Sequence, residues 1–292
     1  MKHHKVELLY SQYRSFGDVL VSTAIIRKLK QRFPEGEIDY LTSSACVELL
    51  SGNPDIRRIH PERFPPIWEN YDVTYRPYRC LQSSAGWHTS GVHFMDLYAE
   101  ACGVDLNGDY RCFFYNMGEC SPGLIPILKN TVLIQTKTND SAKDWSPENF
   151  NLLVQLLKEE GIDTVQIGSL TDPEIKGVIQ DMRGQTGWAQ VAICMRYALT
   201  TVCLDSAAQH LAGAIGASYI ALYGAKESKL VRSGVPFQSE IQLAVDPEDR
   251  CGCNKACYLA VCNKPVKCID TIKPETVRDL VRFIKQCKKV SC

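Results

Sequence analysis

The sequence predicts an α/β protein built as two parallel-sheet halves, and three observations carry that expectation. The chain has 292 residues, 45% of them hydrophobic and 23% charged, enough for two modest cores and far from the composition of disordered chains. Short apolar runs alternate with amphipathic stretches in both halves, the rhythm of strand, helix and parallel strand. Between them Gly118-Glu-Cys-Ser-Pro-Gly123 and Pro126 gather turn formers, dividing a domain of residues 1–125 from one of residues 126–292.

Residues 5–10 read as a buried strand, followed by a turn at Ser15-Phe-Gly-Asp18 and a helix with Val21, Ala24, Ile25 and Leu29 at helical spacing. Arg32-Phe-Pro34-Glu-Gly36 stops that helix, and Ile38-Asp-Tyr-Leu41 resumes a strand, completing a βαβ unit. Residues 71–95 have weak periodicity and read as polar, aromatic loops that face something, His88 and His93 included. In the second half 131–135 is a strand. Ser146-Pro147-Glu148 then supplies an N-cap, a first-turn proline and a first-turn acid for a helix with Phe150, Leu153, Val154 and Leu157 inward, ended by Gly161. Residues 164–168, 199–204 and 218–223 read as strands, with a helix starting near Ser206 between the last two. Pro274 opens a final amphipathic helix carrying Val277, Leu280, Val281 and Ile284 on one face.

Lys+Arg 33 balance Asp+Glu 33, so no global cationic field favours nucleic acid or a membrane surface, and an anion must be met locally. No run approaches ~18 apolar residues and the first ten carry no signal-peptide core. A cytoplasmic protein, at most peripheral at the inner face of a membrane, is the expectation. Fourteen cysteines are about twice ordinary usage, and five of them, Cys251, Cys253, Cys257, Cys262 and Cys268, fall in one short stretch. Their spacing, C-x-C-x3-C-x4-C-x5-C, lacks the paired CxxC of zinc ribbons. A structural metal such as zinc, disulfides, free thiols or a loop pinned by packing all fit it, and five sulfurs leave one over if four are used.

Open parallel sheets bind ligands outside the carboxyl ends of their strands. That directs attention to Gly17-Asp18, to the loop from Thr136 to Trp145, and to Asp205-Ser206. A helix starting near Ser206 presents backbone N–H groups and the positive end of its dipole, which suits a phosphate. Ser206 and His210 lie one helical turn apart, and Lys143 could add a full positive charge. Each residue also has a plainer reading. Asp18 and Asp205 would serve as N-caps, Lys143 as a solvated charge and His210 as a core histidine. Arg76, Arg79 and Trp87 suit an acceptor, since Arg grips anions and Trp stacks on sugars, and equally suit a plain surface loop.

Gly17-Asp18 followed by Val-Leu-Val-Ser-Thr-Ala and a helix to Arg32-Phe-Pro34 resembles the opening of glycosyltransferase family 9, the heptosyltransferase family. Lys143-Asp-Trp145-Ser-Pro147 resembles its Lys-x-Trp loop, and Asp205-Ser206-x-x-x-His210-Leu-Ala-Gly-Ala with Ala221-Leu-Tyr-Gly224 resembles its C-terminal signature. Order and spacing match over nearly the whole chain. One departure is Ala207, where the family usually has Gly; its methyl narrows the approach to a phosphate.

The resemblance implies a GT-B architecture, two Rossmann-like domains facing a central cleft. Residues 1–125 would hold the acceptor, with Gly17, Arg76, Arg79, Trp87 and His88 as contacts. Residues 126–292, including the Cys-rich segment 251–268 and the final helix, would hold a nucleoside-diphosphate sugar, typically ADP-heptose. It implies inversion at the anomeric carbon with no metal required for catalysis. Asp18 would be the general base. Lys143 and the N–H groups near Ser206 and Ala207 would stabilise the departing diphosphate. Asp205 and His210 would contact sugar or diphosphate, Asp172 or Glu174 the ribose, and Gln185 and Thr186 the base. The acceptor would be a glycan, a lipid-linked or a protein hydroxyl. The Cys-rich stretch is similar to that of iron-containing autotransporter heptosyltransferases, which adds iron to the metals it could hold. Two other functions fit such an architecture, a sugar-nucleotide epimerase and a non-catalytic nucleotide- or metal-binding protein.

Overall fold

The computed structural model describes residues 6–12, 15–61, 70–77, 91–120, 122–123, 125–224, 226–234, 241–248 and 262–290. The chain divides into two compact units, one of Met1–Asn116 with Ser233–Val235, the other of Met117–Arg232 with Pro236–Cys292.

The first unit runs β1 (Glu7–Ser11), α1 (Phe16–Arg32), β2 (Glu37–Thr42), α2 (Val47–Leu50), β3 (Arg58–Pro61), β4 (Val73–Tyr75) and α3 (Phe94–Ala101). Among the described residues its sheet holds four parallel strands in the order β3-β2-β1-β4. The chain steps away from β1 on one side and returns to it on the other, so the strand order reverses between β1 and β4. Helix α1 is buried without a break from Val19 to Ile26, too broad a face for a surface helix. Its two hydroxyl residues are satisfied inside that core. The Ser22 hydroxyl lies 2.7 Å from Val19 O and from Tyr40 Oη, and Thr23 Oγ1 accepts from Phe113 N at 2.8 Å.

One expectation for residues 71–95 is corrected here and a second is sharpened. Val73–Tyr75 is strand β4, paired in register with Leu8–Tyr10; three residues are too few to show a period, and the strand exists because β1 offers it an edge. His93 lies outside helix and strand as expected, but it faces inward, as the buried N-cap of α3. Its Nδ1 accepts from Met95 N at 3.3 Å at the start of α3, and its ring stacks on Tyr110 at 3.6 Å. Residues 78–90, with Arg79, Trp87 and His88, lie outside the described residues.

The second unit runs α4 (Ile125–Leu128), β5 (Thr131–Gln135), α5 (Pro147–Glu159), β6 (Asp163–Ile167), β7 (Gln180–Asp181), α6 (Trp188–Tyr197), β8 (Thr200–Leu204), α7 (Ala207–Ala214), β9 (Tyr219–Leu222), α8 (Ser228–Val231), β10 (Gln242–Val245) and α9 (Pro274–Val290). All its described strands are parallel, in the order β10-β9-β8-β5-β6-β7. This is the doubly wound order of dinucleotide-binding sheets, with the reversal between β5 and β8. Helix α5 follows its sequence signals. Ser146 Oγ accepts from Asn149 N at 3.2 Å, Pro147 opens the first turn, and Gly161, at φ +64°, lets the chain leave. Its inward face and the α9 residues Val277, Val281 and Ile284 share one core with the strands and with Trp145, whose ring meets Phe150 edge-on at 4.9 Å.

Candidate functional site

In the second unit the chemistry collects at the carboxyl ends of β5 and β8. Gln135, the last residue of β5, ties the two together: its Oε1 accepts from Leu204 N at 3.2 Å and from Ser206 Oγ at 2.9 Å. The Ser206 hydroxyl is thereby committed to Gln135, and it also accepts from Ala208 N at 3.3 Å as the N-cap of α7. What Ser206 leaves for a ligand is backbone. Ala207 is the first residue of the helix, half-buried, and its N–H is an orphan donor by position. Asp205 is not the cap; it is the last turn residue before it.

Lys143 closes the other side. It ends a 3-10 turn, Ser141–Lys143, and its Nζ lies 2.9 Å from Asp205 Oδ2, with Asp140 Oδ2 further off at 3.8 Å. The Lys143 to Asp205 contact is a short ion pair, and the ammonium both neutralises and donates toward the buried carboxylate. Asp205 is only 7% exposed. Burial alone would push its carboxyl up, but Lys143, Lys226 and His210 outweigh burial and hold it below its usual range. His210 is itself buried on α7. Lys143, Asp205, Ser206, Ala207 and His210 are thus brought together around one ionised carboxylate and one helix start.

The Lys143 loop is held from several directions. Asp144 receives Lys137 Nζ, Thr138 N at 2.7 Å and Thr138 Oγ1 at 2.8 Å. Lys267 Nζ donates to Asp144 O, and Asp270 Oδ1 accepts from Ser146 N at 2.8 Å. Trp145 Nε1 donates to Ile272 O at 3.1 Å. At Gly224 a Cβ would stand 2.6 Å from Ile269 Cβ, so the turn after β9 needs glycine to close on the same segment.

The residues expected at the nucleoside sit on the next loops of the same edge. The Asp172 carboxylate is nearly buried and accepts from Ser169 N at 3.1 Å, closing the turn after β6; burial raises its carboxyl above the usual range against the pull of Ser169, Arg183 and Lys137. Glu174 is exposed two residues on, and Thr186 is half-buried. Gln185 is exposed, with Nε2 donating to Asp181 O at 2.9 Å. Gly184 N donates to Gly168 O at 2.8 Å, which fastens the β6 and β7 loops to each other.

In the first unit Gly17 and Asp18 lie inside the first turn of α1, not on a preceding turn, because Ser15 takes the cap and accepts from Asp18 N at 3.4 Å. The Asp18 carboxylate is half-exposed and accepts from Tyr98 Oη at 3.2 Å. Arg76 follows β4 at the same carboxyl edge, beside the reversal between β1 and β4. Tyr10 Oη, Gln12 Oε1 and Thr42 Oγ1, buried near that edge, make no hydrogen bond among the described residues.

Gln135, Lys137, Asp144, Lys226 and Tyr98 were not singled out by the sequence. Gln135 alone carried a signal, a polar residue closing an otherwise apolar strand. Of the five clustered cysteines, Cys251, Cys253 and Cys257 lie outside the described residues, while Cys262 and Cys268 are half-buried. Among the described residues no three His, Cys, Asp or Glu side chains gather as a metal site would require, and no helix is long and apolar enough to cross a membrane.

Residues 110–255 match the model of glycosyltransferase family 9 (heptosyltransferase). Among curated proteins the chain is similar to lipopolysaccharide heptosyltransferase 3 of Escherichia coli (strain K12), 21% identical over 284 residues, with 73% of this chain and 81% of that protein covered. Among solved structures it is similar to E. coli ADP-heptose lps heptosyltransferase II, with a TM-score of 0.66 at 16% identity over 97% of this chain and 99% of that one. It is also similar to the iron-containing dodecameric glycosyltransferase TibC of enterotoxigenic E. coli H10407, with a TM-score of 0.74 at 16% identity over 97% of this chain and 76% of that one. At such identities the likeness is one of fold, the GT-B class of α/β protein.

Proposed function

The chain belongs to glycosyltransferase family 9, the heptosyltransferase family, and on that premise we propose that it moves a heptose from ADP-heptose to a glycan hydroxyl with inversion at the anomeric carbon. The observation that carries the donor side is the 2.9 Å pair of Lys143 and buried Asp205 beside the start of α7, at the reversal of a dinucleotide-type sheet. An ammonium has three donors, so Lys143 can keep Asp205 and still meet a diphosphate oxygen. Lys226 and the N–H groups at Ala207 add positive charge from the chain itself, where negative charge grows as the nucleoside diphosphate departs.

On the acceptor side Asp18 takes the hydroxyl proton as that oxygen bonds to the anomeric carbon and the carbon's bond to the diphosphate breaks. One bond forms and one breaks on opposite faces, which inverts the centre. The lipopolysaccharide heptosyltransferases to which the chain is similar support an acceptor of the lipopolysaccharide-core class. Asp172, Glu174, Gln185 and Thr186 are proposed at the nucleoside, and Gly17 and Arg76 at the acceptor. Asp18→Asn should leave ADP affinity unchanged and lower heptose transfer to a heptose-deficient lipopolysaccharide core by about 10³-fold. Proton NMR of the product should show the anomeric configuration opposite to the donor's. Full turnover in Asp18→Asn, or a retained configuration, would contradict the mechanism.

A further inference from the structure

We propose that Tyr98 is the positioning residue for Asp18: its hydroxyl bond to Oδ1 orients the carboxylate for proton transfer. The inference rests on the reading of Asp18 as base, and adds the residue that prepares it.

Tyr98 lies on the buried face of the short helix α3, 80 residues from Asp18 in sequence, and is 1% exposed although it ends in a hydroxyl. Burying a tyrosine hydroxyl is costly unless it is paired, and unlike Tyr10 the Tyr98 hydroxyl is paired with a carboxylate, a strong charged acceptor. The helix that carries it is fixed at both neighbours of the site. His93 caps its start and stacks on Tyr110, and Tyr110 Oη donates to Asp96 at 2.7 Å. Phe94 braces the Tyr98 ring edge-on at 5.9 Å. Asp18 for its part has its backbone pinned by Ser15 in the first turn of α1. Rigid elements therefore hold both ends of the bond, which is what orientation of a general base to fractions of an ångström demands.

The surroundings give the bond its electrostatic effect. Among the described residues Tyr98 from α3 bonds to Asp18, the phenols of Tyr10 from β1 and Tyr40 from β2 lie close enough to respond to the charges of Asp18 and Cys102, and Arg76 follows β4 at the same edge of the sheet. Tyr10 and Tyr40 stay neutral, their phenols pushed well up by burial. A bond that favours the ionised carboxylate lowers its pKa, so losing the bond raises it. The base form then disappears at a higher pH, and the acid limb of the rate profile moves upward.

The test is a pH series of steady-state transfer by the full chain with Tyr98→Phe. The expected result is kcat lower by about tenfold, KM for donor and acceptor unchanged, and the acid limb of kcat/KM raised by about one pH unit. An acid limb and kcat equal to wild type would overturn the proposal and leave Tyr98 a packing residue. If Tyr98→Phe does not fold, ring-fluorinated tyrosine at position 98 keeps the shape and makes the hydroxyl a stronger donor. The limb should then move to lower pH, and an unmoved limb overturns the proposal. Asp18→Asn run in parallel separates the two failures: full turnover there removes the base reading itself, whereas an inactive Asp18→Asn beside a Tyr98→Phe with wild-type kinetics removes only this inference.

Discussion

At Gly168 the backbone stands at φ +141°, and a Cβ would come within 2.2 Å of Asp172 Oδ2, the oxygen that accepts from Ser169 N at 3.1 Å. Two costs coincide there, an unfavourable dihedral and the eviction of a nearly buried carboxylate from its hydrogen bond. Gly168→Ala should destabilise the second unit by about 2 kcal/mol, lowering its melting temperature by about 5 °C. Differential scanning calorimetry checks this, and an unchanged transition would mean that the turn after β6 can relax around the methyl. Gly224 differs in kind. Its neighbour is the backbone and Cβ of Ile269, so a side chain there would disturb the segment that holds the Lys143 loop.

Strand β2 carries the clearest pH-sensitive element. Asp39 is buried and accepts from Arg57 at 2.7 and 2.9 Å, from Tyr71 Oη at 2.9 Å, and lies 3.0 Å from His60 Nε2. Burial pushes its carboxyl up, but Arg57, His60 and Tyr71 together hold it below the usual range. A lowered folded pKa gives stability that is complete above the ordinary carboxylate range and is lost as pH falls through the folded value. Asp39→Asn should therefore unfold about 3 kcal/mol more easily at neutral pH, with the gap closing in acid once the wild-type carboxyl is protonated; urea melts across pH measure it, and a constant gap would contradict the assignment. The elements themselves were unequally legible. Helices α1, α5 and α9 and strands β1, β2, β5, β8 and β9 show long periods or bounded apolar runs, and caps such as Ser146 state their ends. Strand β4 was not legible because it is three residues of edge pairing, nor was α3, whose cap is a histidine. The site divides the same way. Lys143, Asp205 and Ser206 stand where strands end, a local signal, whereas the commitment of Ser206 to Gln135 and the bond from Tyr98 to Asp18 join residues far apart in sequence and leave no trace in spacing.

For the molecule as a whole, a net charge of zero means that no long-range field gathers an anion, so the proposed donor must be met by local positive groups. The second unit meets that requirement with Lys143, Lys226 and the start of α7 around an ionised Asp205. A nucleoside diphosphate held there stabilises the native state, by about 2.7 kcal/mol when its concentration is a hundred times Kd. Removing Lys143 also strips Asp205 of a counter-charge 2.9 Å away, which would compound the loss by leaving a buried carboxylate beside the proposed diphosphate. Isothermal titration of ADP into the wild-type chain and into Lys143→Ala is the most direct measurement of this cradle. One site per chain in wild type, weakened about tenfold or more in the variant, is the predicted result. Equal dissociation constants in the two proteins, or no binding of ADP to the wild type, would contradict it.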